Sequence, residues 1–167
     1  TPHRMTPSPW TERVFERLTA TGRTLALAES CTGGEASAEL TSIPGASRIF
    51  RGSLIAYANA AKIQILHVPK ELLEKKGPVS AEVAIAMAGG AKKRFGADVA
   101  AAVTGLAGPG YGDVSLPIGT VWIAFVDDAR REAFSEHFEG GRASIRAAAT
   151  HCLFRYLALF LDDDLHK

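Results

Sequence analysis

The hydrophobic pattern alternates short apolar runs with amphipathic segments, which predicts alternating strands and helices. Residues 25–28 and 99–103 contain no polar side chain. Such runs are typical of strands in a parallel sheet that is covered on both faces. Residues 53–57 are expected to form another strand. Residues 119–126 and 131–138 are predicted to pair as antiparallel strands, and polar residues alternate with apolar ones along the second of these, as in an exposed edge strand.

Helices are predicted where apolar residues recur at helical spacing and where capping residues mark the ends. Ser8 followed by proline opens the first helix, and Gly22 ends it. Ser80 caps a later helix that ends at Gly96. The last helix, at about residues 142–161, carries an unusually broad apolar stripe. Since so wide a stripe can bury a subunit contact, it favours a homo-oligomer.

The order of these elements predicts an α/β fold. Residues 8–163 are expected to form a single domain, because neither a repeat nor a linker interrupts them. Residues 1–7 are expected to be a flexible lead or an expression remnant.

Composition and charge exclude several classes of function. The 167 residues are 47% hydrophobic and 22% charged, as in a soluble globular domain. A net charge of +1 argues against a protein dominated by binding to nucleic acid or to acidic membranes. Neither a membrane-spanning stretch nor a signal-peptide core is apparent, so a cytoplasmic location is expected. Cys31 and Cys152 do not make a disulfide framework, and a structural metal is not expected because no Cys/His cluster has zinc spacing.

The first candidate site is the turn at residues 28–34, Ala-Glu-Ser-Cys-Thr-Gly-Gly, between an apolar run and a helix. A hydroxyl at Ser30 would lie near free N–H groups and the positive end of a helix dipole, which suits an anion or a developing oxyanion. Gly33 and Gly34 would let a ligand approach the backbone closely. Helix capping by Ser30 or Thr32 is the commoner role for such residues. The turn alone leaves both roles open.

The second candidate is Lys62, in the first turn of a helix that Asn59 is predicted to cap. A cation there opposes the helix dipole, and burial lowers the pKa of the amine further. A lysine that is neutral near pH 7 can act as a general base, although a solvated lysine is the usual result of such a placement. Tyr57 precedes this helix. Two roles are open for it: a core aromatic, or the wall and hydrogen-bond donor of a pocket.

A third candidate is the glycine-rich stretch at residues 104–112, which follows a buried strand. Loops at that end of a strand bind ligands in open α/β sheets, and their N–H groups can form a nest for a phosphate or carbonyl oxygen. The spacing matches neither the Walker A pattern nor the dinucleotide fingerprint. Arg142 and Arg146, in the first turns of the last helix, are able to bind a phosphate or carboxylate, although a surface position is the usual one.

Five blocks, in the right order, resemble the CinA C-terminal domain family, the nicotinamide-nucleotide amidases. The resemblance covers roughly residues 10–160, and its blocks are residues 28–34, 57–62, 77–80, 104–109 and 117–122. The resemblance implies a three-layer α/β/α sandwich with a mixed, largely parallel central sheet. It also implies hydrolysis of the carboxamide of nicotinamide mononucleotide to nicotinic acid mononucleotide and ammonia, with no metal or redox cofactor.

The resemblance also assigns the site residues. Ser30 matches the nucleophile, Lys62 matches the base, and Tyr57 matches a tyrosine beside them. Arg142 follows two glycines where Gly-Asp-Arg is expected, and Leu116 replaces an expected lysine. The implied substrate-binding set is Cys31, Thr32, Gly33, Gly34, Asn59, Thr104, Gly105, Ala107, Gly108 and Arg142.

Three alternatives remain at this point. Cys31 is a rival nucleophile, because thiolates are stabilised at helix N-termini. The second alternative is a pyridine-nucleotide-binding module without catalysis. The third is an interaction domain linked to competence and DNA damage. In many family members the domain follows a larger partner domain, so this chain either stands alone or was cut from a fusion.

Overall fold

The computed structural model describes residues 6–110 and 115–163. The expectations for residues 1–5 and for Tyr111 and Gly112 lie outside this range. Regular structure within it alternates as the sequence predicts. The helices are α1 (Pro9–Thr21), α2 (Glu35–Thr41), α3 (Asn59–Gln64), α4 (Lys70–Lys76), α5 (Ala81–Phe95) and α6 (Arg142–Asp162), and the strands are β1 (Leu25–Glu29), β2 (Phe50–Ile55), β3 (Val99–Gly105), β4 (Thr120–Val126) and β5 (Arg131–His137).

The strands form one mixed sheet in the order β2-β1-β3-β4-β5. β1 pairs in parallel with β2 and β3, whereas β4 pairs antiparallel with β3 and β5. β4 is therefore the one strand of this sheet that runs against the others. β3 is central and β5 is an edge, as predicted, because the apolar run of β3 is buried on both sides and the alternating run of β5 is not.

β2 begins earlier than the prediction for residues 53–57, and it ends two residues sooner. Its pairing with β1 begins at Phe50 and continues at Gly52, and the irregular register at the Leu25–Ala26 step leaves Arg51 without a partner in β1. β2 is an edge strand, so polar and glycine residues are tolerated there. Hydrogen bonding to β1, rather than hydrophobicity, sets the start of this strand.

Helices cover both faces of the sheet and make the three-layer α/β/α sandwich. Leu25 and Leu27 of β1 point into a core shared with α1, α2 and α6. Ala26 and Ala28 point into the opposite core, beside α5 and the segment that contains α4. This alternation follows from the two-residue period of a strand.

The apolar stripe of α6 is buried mainly within the chain. α6 packs against α1, α2, β3 and β4, and most of its apolar side chains are buried. Among its large apolar side chains, Leu159 is exposed, at 43%. Intramolecular packing therefore accounts for the width of the stripe, and the homo-oligomer stays a prediction. Among the described helices, none has the length and apolar character needed to cross a membrane.

The predicted caps agree with the structure at α1 and α5. Ser8 Oγ accepts a hydrogen bond from Thr11 N, and Ser80 Oγ accepts one from Val83 N, each at 3.3 Å. The prediction that Asn59 caps α3 is wrong. Ala58 occupies the cap position without a side-chain bond, because the chain stays extended through Ala58 before it turns into the helix.

Two adjacent glycines of α5 provide a matched test of packing. A methyl group on Gly90 would overlap the backbone carbonyl of Leu66, whereas one on Gly89 would meet nothing within 4 Å. Gly89→Ala is expected to raise the free energy of unfolding by about 0.5–1 kcal/mol through helix propensity. Gly90→Ala should lower it by about 2 kcal/mol, since backbone must move. Denaturant unfolding measures both values; a Gly90→Ala protein as stable as Gly89→Ala would contradict this packing.

Candidate active site

Three parallel strands end at the same edge of the sheet and bring the candidate residues together. Ser30 directly follows β1, and its N–H donates to the carbonyl of Val103 in β3 at 3.1 Å. After β2, the N–H of Ala56 donates to the carbonyl of Glu29 at 2.8 Å. These two backbone bonds place the segments that follow β1, β2 and β3 side by side.

The predicted serine and lysine are in hydrogen-bond contact. Lys62 Nζ lies 3.0 Å from Ser30 Oγ. The amine also donates to the carbonyl oxygens of Ala56 at 2.9 Å and Tyr57 at 3.0 Å. Lys62 is only 1% exposed and Ser30 only 6%. This arrangement gives Lys62 Nζ three oxygen partners in a site with little solvent.

Burial lowers the pKa of Lys62 from 10.5 to about 8. The cause is loss of hydration of the charged amine, because a buried ammonium is less stable than a buried amine. The expected contribution of the helix dipole is wrong: Lys62 lies in the last turn of the six-residue α3, where a dipole would stabilise the charged amine. A neutral Lys62 has two N–H bonds for the two carbonyls, so its lone pair remains for the hydroxyl of Ser30.

Glu29 organises the turn after β1, and its role was missed in the sequence analysis. Its carboxylate is fully buried at the end of an otherwise apolar strand. Oε1 accepts from Thr32 Oγ1, Gly34 N and Ala36 N at 2.6, 3.1 and 3.0 Å. Oε2 accepts from the backbone N and the hydroxyl of Ser37 at 3.0 and 2.6 Å. A charged residue that ends an apolar strand was the available signal.

The hydrogen bonds of the turn narrow the set of N–H groups available to an anion. The N–H of Gly33 donates to the carbonyl of Ser30 at 3.0 Å, and that of Gly34 donates to Glu29. Within the described residues, no acceptor from another residue is bound to the N–H of Cys31 or of Thr32, and that of Cys31 faces its own thiol. The sequence predicts a helix end that is free to bind an anion. In the structure, the Glu29 carboxylate occupies the positive end of α2, so this prediction is wrong.

Cys31 lies in the core and is poorly suited to nucleophilic attack. It is buried among residues of the core that β1 shares with α6. Burial raises the pKa of the Cys31 thiol to about 11, so that the reactive thiolate is scarce near neutral pH. Thr32 is also fully buried, and its hydroxyl is bound to Glu29.

Thr104 lies next to Ser30 across the strand ends, one position beyond the Glu29–Val103 pair. Its hydroxyl donates to the carbonyl of Pro78 at 2.8 Å and is buried. Gly105 is close to the Cys31 side chain: an added methyl group would come within 3.2 Å of Cys31 Sγ. Ala107 is buried and contributes only backbone polar groups.

Arg142 connects two of the predicted site elements. Its guanidinium donates to the carbonyl of Gly108 at 2.7 Å and to the hydroxyl of Tyr57 at 2.8 Å. Tyr57 is 58% exposed, so its ring lies at the solvent-facing side of the site and is not a core aromatic. The bridge links the segment after β2 to the glycine-rich loop after β3.

Arg146, one helical turn further, supports the turn that follows Ser30. It donates to the carbonyls of Cys31 at 3.0 Å and Thr32 at 3.1 Å, and it pairs with Glu35 at 3.3 Å. Because these partners engage its guanidinium, Arg146 is a support of the backbone here. Asn59 is exposed at the start of α3, and no hydrogen bond of its side chain joins it to the other candidates. Across residues 6–110 and 115–163, no three His, Cys, Asp or Glu residues are grouped so as to hold a metal ion.

Comparison with known proteins identifies the family to which this sequence is similar. The family model of the CinA C-terminal domain matches residues 8–161. A CinA-like protein of Geobacter metallireducens is 54% identical over 126 residues, which are 75% of this chain and 30% of that protein. A CinA-like protein of Petrotoga mobilis is 45% identical over 141 residues, covering 84% and 35% of the two chains. The chain therefore spans about a third of the length of these relatives.

Solved structures agree with the fold over nearly the whole chain. A CinA superfamily protein of Klebsiella pneumoniae superposes with a TM-score of 0.89 at 32% identity, covering 92% of this chain and 96% of the other. A competence/damage-inducible protein of Agrobacterium tumefaciens gives a TM-score of 0.86 at 34% identity, with coverage of 94% and 98%. These structures share the mixed five-stranded sheet and the flanking helices.

Proposed function

The chain belongs to the CinA C-terminal domain family, and on that premise we propose that it hydrolyses the carboxamide of nicotinamide mononucleotide. The products are nicotinic acid mononucleotide and ammonia. The observation that carries this proposal is the buried contact between Ser30 Oγ and Lys62 Nζ at 3.0 Å. A serine is a weak nucleophile until a base within hydrogen-bond reach accepts its proton.

The proposed reaction has two steps. Neutral Lys62 takes the proton of Ser30 as Oγ attacks the amide carbon. The tetrahedral oxyanion is bound by the N–H groups of Cys31 and Thr32, and its collapse breaks the C–N bond while Lys62 returns its proton to departing ammonia. Water then attacks the acyl-enzyme with Lys62 again as base, and the bond from the acyl carbon to Ser30 Oγ breaks as Lys62 returns the proton to Oγ, which releases the acid.

The two carbonyls that accept from Lys62 support its role as a base. The acceptors in Ala56 and Tyr57 hold two protons of the neutral amine and orient its lone pair toward Ser30. They also stabilise the ammonium once it forms, because all three of its protons then have oxygen partners. The same contacts thus serve both protonation states in the cycle.

The phosphate of the substrate is assigned to Arg142 and to the loop from Gly105 toward Gly110. The Arg142 guanidinium is exposed at the solvent side of the site, where an anion would share its donors with the carbonyl of Gly108 and the hydroxyl of Tyr57. Guanidinium groups bind phosphate through paired N–H donors. Tyr57 lies beside it and is the proposed wall of the nucleotide pocket.

Release of ammonia from nicotinamide mononucleotide by the purified protein tests the function directly. Stoichiometric ammonia and nicotinic acid mononucleotide are expected, and the nucleoside without phosphate should react more slowly. Nucleotide binding without ammonia would identify a non-catalytic module. The absence of both nucleotide binding and turnover would favour the interaction domain. Size-exclusion chromatography with light scattering would separately test the proposed homo-oligomer.

A further inference from the structure

We propose, on the basis of the proposed amide hydrolysis, that Glu29 is a positioning residue that holds the turn after Ser30 in the conformation that binds the oxyanion. Its carboxylate takes no part in the proton transfers between Ser30 and Lys62. It touches neither Lys62 nor the hydroxyl of Ser30, and it acts through the backbone of residues 31–34.

The two carboxylate oxygens fasten different parts of the turn. Oε1 binds the Thr32 hydroxyl and the N–H of Gly34, which lie within the turn, whereas Oε2 binds Ser37 in the first turn of α2. Thr32 carries one of the two N–H groups of this turn that have no acceptor from another described residue. Glu29 therefore fixes the residue that presents the proposed oxyanion donor.

α2 lacks the usual means of fixing its own N-terminus. Its cap residue is Gly34, which has a φ of 111° and no side chain to accept from the helix. Glu29 supplies that acceptor from the end of β1. Since a carboxylate can accept at both oxygens, it holds the two segments together, whereas a carboxamide presents a donor at one end.

Glu29→Gln is the direct test, measured as kcat and KM for ammonia release. The expected result is a kcat lower by about 100-fold, as for loss of an oxyanion donor, with KM within about three-fold of wild type. The alkaline rise of the pH profile should stay in place, because burial sets the protonation of Lys62. A kcat within about three-fold of wild type in a folded protein would overturn the inference. A rise in KM as large as the fall in kcat would also overturn it.

Asp98→Asn is the matched control. Asp98 is a carboxylate that accepts from the N–H and hydroxyl of Thr24, at 2.8 and 3.1 Å, at the opposite end of β1. Its replacement should lower the melting temperature while kcat stays within about three-fold of wild type. If Asp98→Asn slows kcat as much as Glu29→Gln, the effect of Glu29 is general destabilisation and the inference fails.

Thr32→Val covers the case in which Glu29→Gln does not fold. It removes one bond to Oε1 and keeps the carboxylate, so kcat should fall by about ten-fold with KM little changed. Ser37→Ala removes a bond to Oε2 on the α2 side and should have the smaller effect on kcat. The reverse order of the two variants would contradict the proposed role.

Labelling of Ser30 by a fluorophosphonate separates this inference from the choice of substrate. Ser30 Oγ displaces fluoride at phosphorus, Lys62 takes the hydroxyl proton, and the adduct is measured by intact mass. Wild type that is labelled but releases no ammonia would refute the substrate, and the slower labelling expected of Glu29→Gln would still support the positioning role. Equal labelling rates in the two proteins would overturn it, and a wild type that neither reacts nor hydrolyses would refute both proposals.

Discussion

Ser30→Ala is expected to reduce ammonia release from nicotinamide mononucleotide by about 10⁴-fold or more, because the variant has no nucleophile to form an acyl-enzyme. The effect should appear in kcat, since Ser30 is proposed to make its bond to the substrate only during the reaction. The fold should be retained: Lys62 keeps both of its backbone acceptors when the hydroxyl is removed. Steady-state kinetics and thermal unfolding measure the two effects.

Cys31→Ala is the control for the neighbouring nucleophile. The Cys31 thiol is buried and its pKa is raised to about 11, so its removal should leave kcat within about three-fold of wild type. Retention of near wild-type turnover by Ser30→Ala, together with its loss in Cys31→Ala, would reverse the assignment. Mass spectrometry of a trapped acyl-enzyme would then place the adduct on Cys31.

Much of the fold follows from side-chain patterns that act locally. The apolar runs at residues 25–28 and 99–103 identify buried neighbouring strands, because a sheet covered on both faces has no polar side. Parallel strands end at one edge, which is why Ser30 and the segment before Lys62 can be expected to meet. The start of β2 is harder to predict, since pairing of Phe50 and Gly52 with β1 depends on a partner far away in sequence.

The polar interior of the site is harder to infer from the sequence. A single acidic residue after four apolar ones marks Glu29 as unusual, but its bonds to α2 depend on how the turn folds back on β1. The roles of the two arginines are likewise decided by tertiary contacts, which leave Arg142 at the solvent side and direct Arg146 to the carbonyls of Cys31 and Thr32. The residue types can be read from the local sequence, whereas their roles are determined by tertiary contacts.

Lys62→Arg is expected to lower kcat by about 10³-fold, because arginine keeps a positive charge but does not accept a proton. Lys62→Met is the companion variant, which preserves much of the side-chain length without an amine. Both should bind the nucleotide with an affinity close to wild type, since Lys62 is buried and is not assigned to the phosphate. Calorimetric binding and circular dichroism distinguish loss of chemistry from loss of the fold.

The pH profile gives an independent measure of the same group. The pKa of Lys62 is lowered to about 8, so the neutral base prevails above that pH and activity should be lost as the pH falls through it. At pH 7 about a tenth of the enzyme would hold the neutral amine. Residual activity of Lys62→Arg should lack this rise. A wild-type profile that is flat from about pH 6 to about 9, or the same rise in Lys62→Arg, would assign the base to another group.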